Sequence, residues 1–143
     1  MGWNPWRHVG QHYPGVVVET RAELPGRLWG LTDGATIWLC RLLDQAARRS
    51  TLAHEIVHLE RGPVPADARG RAREERAVSA EAARRLITID ALADGLAWTR
   101  DPDQLAEALW VDVPTLKARM GSLDPVEVAE LEHRLDGHWL WIP

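Results

Sequence analysis

The chain has 143 residues and a formal charge of −4, the length of one ordinary domain and too short for two independent cores. Hydrophobic residues make up 45 % and charged residues 27 %, which excludes a disordered chain, and the mild acidity gives no global pull toward a polyanion. A single cysteine, Cys40, excludes an intramolecular disulfide and a thiolate-rich structural zinc site, so any metal must be held by His and carboxylates.

The opening residues M-G-W-N-P-W-R-H-V-G contain no apolar core of signal-peptide length. No stretch approaches the roughly 18 apolar residues that a membrane helix requires. The expected location is therefore the cytoplasm, with no membrane contact. Eight Trp and no Phe predict that Trp fills the aromatic core positions.

Residues 1–15, rich in Gly, Pro and aromatics, read as an irregular arm. The β-branched run V-V-V-E-T (16–20) predicts a strand. After the Pro25-Gly26 turn, R-L-W-G-L (27–31) and A-T-I-W-L (35–39) read as two strands joined by a tight turn at T-D-G. From Leu42 the period becomes helical through Leu52, Ala53, Ile56 and Val57, and Gly62-Pro63 supplies a stop. Residues 63–72 read as a loop, and a second helix is predicted over 72–86. Shorter helices follow at 89–98, 102–110, 114–120 and 125–135, with Asp101, Asp112 and Asp124 as caps before Pro-containing starts. Strands first and helices after argue an α+β fold, with a small antiparallel or mixed sheet against the first long helix.

That helix carries T-L-A-H-E-I-V-H-L-E-R-G (51–62). Positions four apart share a helix face, so His54 and His58 can aim both imidazoles at one ion while Glu55 sits beside them, within reach of a water but outside the ligand set. This H-E-x-x-H spacing is the arrangement in which the glutamate serves as general base. Catalytic zinc takes three protein ligands, so a third is expected on another segment. The helix over 73–87 offers Glu74, Glu75 and Glu81, and its alanine-rich side allows a close approach to the first helix. By residue type alone His8, His12, His133 and His138 are candidate oxyanion stabilisers, and strand 35–39 is the candidate edge for pairing with an extended substrate.

The run R-R-S-T-L-A-H-E-I-V-H-L-E-R-G (48–62), followed by E-E-R-A-V-S-A-E-A-A-R-R-L-I (74–87), resembles the ImmA/IrrE-type zinc metallopeptidases in the version found in actinobacteria and their phages. The resemblance covers about residues 27–90 well and the C-terminal part loosely. It implies a zincin-like domain over 1–98 with a small helical, helix-turn-helix-like appendage over 99–143 packed on it. It also implies zinc held by His54, His58 and a glutamate of the next helix, with Glu55 as the catalytic base. The family's second motif has an E-x-x-A-N-x-F-A core. Here the stretch from Glu75 reads E-R-A-V-S-A-E-A, without the Asn or Phe. Glu75 is favoured as third ligand because it keeps Ala82, Ala83 and Leu86 in step with the family's small and aliphatic positions, and Glu74 is the alternative. Family members with known roles cleave a helix-turn-helix repressor in mobile-element or stress-response control, so the implied partner is a protein substrate of that kind.

A competing signal lies in Q-L-A-E-A-L-W-V-D-V-P-T-L-K-A-R-M (104–120), whose spacing is that of a DNA-binding helix-turn-helix. Over residues 101–120, however, Asp101, Asp103, Glu107 and Asp112 outweigh Lys117 and Arg119. Affinity for DNA rests on neutralising phosphates, so the charge argues against direct nucleic-acid binding. A further alternative is a metal-bound regulator that relieves repression by binding without cutting.

Overall fold

The structure, a computed structural model, describes residues 2–136. The fold is α+β: a three-stranded mixed sheet near the N-terminus precedes a mainly helical remainder. One helix comes before the sheet, where an irregular arm was expected. Helix α1 spans Pro5–His12, because Asn4 accepts a hydrogen bond from the Arg7 amide at 3.1 Å and Pro5 fits the first helical position. Its Pro5 and Val9 are buried.

Strand β1 spans Val17–Ala22, β2 Gly30–Thr32 and β3 Thr36–Cys40. The expected hairpin is present. Thr32 and Thr36 flank a turn in which Asp33 Oδ1 accepts from the Ala35 and Thr36 amides, both at 2.9 Å, and Gly34 adopts φ 91°. Strand β3 lies in the middle, parallel to β1 and antiparallel to β2. The expectation that 35–39 is an edge is therefore corrected: both sides of β3 are taken, and the edges are β1 and β2. The reason is topological, since the chain crosses from β1 to the far side before turning back between the two.

Helix α2, Gln45–Arg61, is capped by Asp44, which accepts from the Ala47 amide at 2.8 Å, and ends at Gly62 with φ 86°. Two faces of this helix are buried. Leu52 and Ile56 pack with Ile37, Leu39 and Val9 on the sheet side. Ala53 and Val57 pack with Val78, Ala82, Leu92, Leu105 and Leu116 on the helical side. The remaining face carries His54 and His58.

Helix α3 spans Ala68–Leu86 and so begins inside the segment expected to be a loop. Asp67 accepts from the Gly70 amide at 2.7 Å and starts the helix despite the glycine. Helices α4 (Ile89–Trp98), α5 (Pro102–Leu109), α6 (Val113–Gly121) and α7 (Pro125–Leu135) follow as predicted, with Asp101, Asp112 and Asp124 as their expected caps for the last three. Val111, Leu116 and Leu131 share one core with Ala53 and Val78, on both sides of residue 98. No described helix is long and apolar enough to cross a membrane.

The core is aliphatic, which corrects the expectation for Trp. None of the described tryptophans is buried, and Trp6, Trp29, Trp98 and Trp110 are exposed. An indole seldom disappears completely from solvent in a small fold, and Leu, Ile, Val and Ala fill the interior.

One charged group is part of the core. Arg119, 3 % exposed, donates through Nε to the Ile87 carbonyl at 2.8 Å and through both terminal nitrogens to Glu127 at 3.1 and 2.5 Å. Removing one partner of such a pair strands the other, so Arg119→Ala is expected to cost about 3 kcal/mol in urea denaturation. The Arg119 guanidinium holds the Glu127 carboxyl below its ordinary value. A carboxyl depressed by folding contributes stability that is present above its unfolded pKa and lost as pH falls through the folded one. The acid limb of the wild-type unfolding curve should therefore flatten in Glu127→Gln.

Candidate metal centre

His54 and His58 sit one turn apart on the open face of α2, with ring centroids 4.8 Å apart and planes at 72°. Helix α3 crosses this face on small side chains, Ala82 among them, and brings Glu75 over both rings. Glu75 Oε1 lies 2.5 Å from His54 Nε2, and Glu75 Oε2 lies 3.0 Å from His58 Nε2. One donor atom from each of the three residues lies within 4.8 Å of the others.

Glu74, the alternative, is turned away. Its carboxylate takes a two-pronged ion pair from Arg61 at 2.5 and 3.1 Å. Glu81 is likewise committed, to Arg84 and Arg85, which hold its carboxyl down at about 2. Of the three glutamates that α3 offers, Glu75 is the one that meets the histidines.

Two imidazole nitrogens and one carboxylate oxygen are the donor set of open catalytic zinc sites. Donors around a tetrahedral ion at about 2.0–2.1 Å stand roughly 3.3 Å apart. The contacts at 2.5 and 3.0 Å need to open by less than about 1 Å to reach that spacing, so the group fits a metal ion of this kind.

The electrostatics are those of a carboxylate bridging two imidazoles. Hydrogen bonds from His54 and then His58 hold the Glu75 carboxyl well below the usual carboxylate range. The bond to Glu75 in turn raises His58, with burial opposing it. Glu55 is different in kind. It is 7 % exposed, lies beside the histidine pair on the sheet-facing flank of α2, and burial pushes its carboxyl up.

Strand β2 closes the flank above Glu55. A Cβ at Gly30 would stand 2.6 Å from Thr51 Cγ2 and 3.1 Å from Glu55 Oε1, so the strand approaches the helix here because the side chain is absent. The motif reading missed Gly30 and its close approach to Glu55. Its signal was available, since a glycine inside a strand marks a close backbone approach.

Two clefts flank the triad. One, of about 600 Å³, runs toward the N-terminal end of α2 between the β2 side and α6. The other, of about 570 Å³, runs past β2 toward Gly62, Pro63 and Val64. His54, Glu55 and Glu75 line both. None of His8, His12 and His133 lines either one, so the oxyanion expectation is corrected for these three. His8 instead contacts Glu60 at 3.1 Å and accepts from Trp3 Nε1 at 3.3 Å. His138 lies outside the described residues.

Helix α6, in the segment expected to pack on the first part as an appendage, contributes Asp112, Pro114, Thr115 and Ala118 to a wall of the larger cleft. Two bonds fix that wall to α2: the Asp112 amide donates to Ser50 Oγ at 3.1 Å, and Arg49 donates to the Trp110 carbonyl at 2.9 Å. Trp110 itself caps α5 in the left-handed region at φ 59°. Arg119, counted in the sequence among the cations of a DNA-reading helix, is buried. The chain matches no protein-family model, no curated protein and no solved structure.

Proposed function

We propose that the chain is a zinc-dependent endopeptidase in which His54, His58 and Glu75 hold the metal and Glu55 is the general base. The observation that carries this reading is the convergence of Glu75 on both histidines beside a buried carboxylate with a raised pKa. When bound there, a zinc ion supplies Lewis acidity, polarising the scissile carbonyl and making water more acidic. Glu55 takes a proton from the attacking water and delivers it to the amine nitrogen as the C–N bond breaks, while the hydroxyl goes to the carbonyl carbon. Burial favours this role, because a carboxylate with a raised pKa is a stronger base. The free edge of β2, next to Glu55, offers backbone groups to an extended substrate.

The resemblance read from the motifs supports a protein substrate of the helix-turn-helix repressor class. The test is to incubate zinc-loaded protein with purified helix-turn-helix regulators from the same genome, any encoded beside its gene first, and to weigh the products. Two fragments are expected. An intact complex of both chains would favour the binding-only regulator, and a chain that takes up no zinc would end the proposal.

Gly30 is a positioning residue on this reading. Gly30→Ala would press on Thr51 and displace the Glu55 carboxylate. We expect zinc content to be retained and kcat to fall roughly ten- to a hundredfold, with recovery in Gly30→Ala/Thr51→Ala. An unchanged kcat in the single variant would remove Gly30 from the site.

A further inference from the structure

We infer that the larger cleft is a side-chain pocket that selects a bulky apolar residue next to the bond to be cut. This rests on the endopeptidase reading and specifies its substrate. Three observations carry it. Large hydrophobic side chains gather in the solvent at this mouth: Leu42 is 72 % exposed, Trp29 56 % and Leu28 45 %. A soluble protein seldom leaves such a group uncovered unless something docks there. Deeper in, the walls carry small side chains, Ala82 from α3 and Ala118 from α6, so the cavity of about 600 Å³ has depth as well as an apolar rim.

The charges are the third observation. Asp44 and Asp112 line the cleft, but each carboxylate accepts a backbone amide of its own helix, Ala47 and Thr115 respectively. Both are helix caps and are therefore poorly placed to draw a cationic side chain into the pocket. Arg27, Thr51 and Ser79 add polar groups to the lining, and the larger share of what remains is apolar surface. Because His54, Glu55 and Glu75 line the same cavity, the side chain it holds belongs to a residue adjoining the scissile bond. Bulky apolar residues are usually buried in folded proteins, so the substrate is cut in a linker or in a segment released by local unfolding.

The experiment uses the zinc-loaded full chain and a library of peptides prepared from a whole proteome, with cut positions read by mass spectrometry. Wild type is expected to enrich Phe, Trp, Leu or Met about tenfold at one of the two positions flanking the cut. Ala118→Phe, which narrows the pocket from the α6 wall, should shift that preference toward smaller side chains while zinc content and Tm stay unchanged. Leu42→Ala, at the exposed rim, should weaken the enrichment without reversing it. Cleavage with no apolar preference, or a preference that Ala118→Phe leaves in place, overturns the pocket and spares the hydrolase. A zinc-loaded wild type that cuts no peptide overturns both.

Discussion

Glu55→Gln is expected to bind zinc like the wild type and to lose at least a hundredfold in kcat, the usual contribution of a positioned general base. Glutamine has nearly the shape of glutamate, so the contacts to Gly30 and Thr51 are kept, but its amide cannot accept the proton of the attacking water. The same substitution has a second, opposite consequence for stability. Burial raises the Glu55 carboxyl above its ordinary value of 4.5, and an acid whose pKa is raised by folding is a charge that the fold would rather not hold. Its contribution to stability is greatest at low pH and is lost as pH rises through the folded pKa. At neutral pH the metal-free variant should therefore melt no lower than wild type. A variant that lost activity together with several degrees of Tm would point to a structural role for the carboxylate. One that kept full activity would remove it from the chemistry.

Zinc should raise the Tm of the wild type by about 10 °C or more when supplied at a thousandfold excess over its Kd, since binding to the folded state alone then adds about 4 kcal/mol. The rise should vanish in His54→Ala and His58→Ala and shrink strongly in Glu75→Ala. It should persist in Glu74→Ala, whose side chain serves Arg61. A zinc shift that depended on Glu74 and ignored Glu75 would overturn the ligand assignment.

The shift should also depend on pH with a definite sign. In the metal-free protein the bond to Glu75 raises His58 above 6.5, so the pair stabilises the fold at low pH and that stabilisation is lost as pH rises through the raised value. Zinc needs the imidazole neutral and competes with the same proton. Raising the pH therefore weakens the metal-free fold and strengthens the bound one, and the gap between the two melting temperatures widens. A gap that narrowed between pH 6 and pH 8 would contradict the role of His58.

The sequence was most legible where one residue type has one physical meaning. The apolar positions 52, 53, 56 and 57 predicted α2, aspartates before prolines predicted the caps of α5, α6 and α7, and the spacing of His54 and His58 predicted their common face. The choice of Glu75 over Glu74 could be favoured but not settled from spacing, because adjacent residues on a helix differ by about 100° and either can be swung by the crossing angle of its partner. The Arg61 pair is what occupies Glu74.

Sheet order was opaque, since strand patterning says which face is buried and nothing about which neighbour lies where. The first helix was hidden by composition: Trp, Gly and Pro around residues 3–15 outweighed the single informative pair Asn4-Pro5. Trp was misplaced for a related reason, as composition counts aromatic residues without saying which can be enclosed.

The bonds that tie Ser50 and Arg49 to the α5–α6 turn bear on how such a chain can change over generations. The helices after residue 98 complete the interior and also form one side of the larger cleft. A recombination event that replaced them would alter the cleft wall and foldability in one stroke. Exchange of that segment between relatives is therefore productive only when the donor carries a matching partner for the first turns of α2, so a new cleft wall and the means to support it travel as one inheritance.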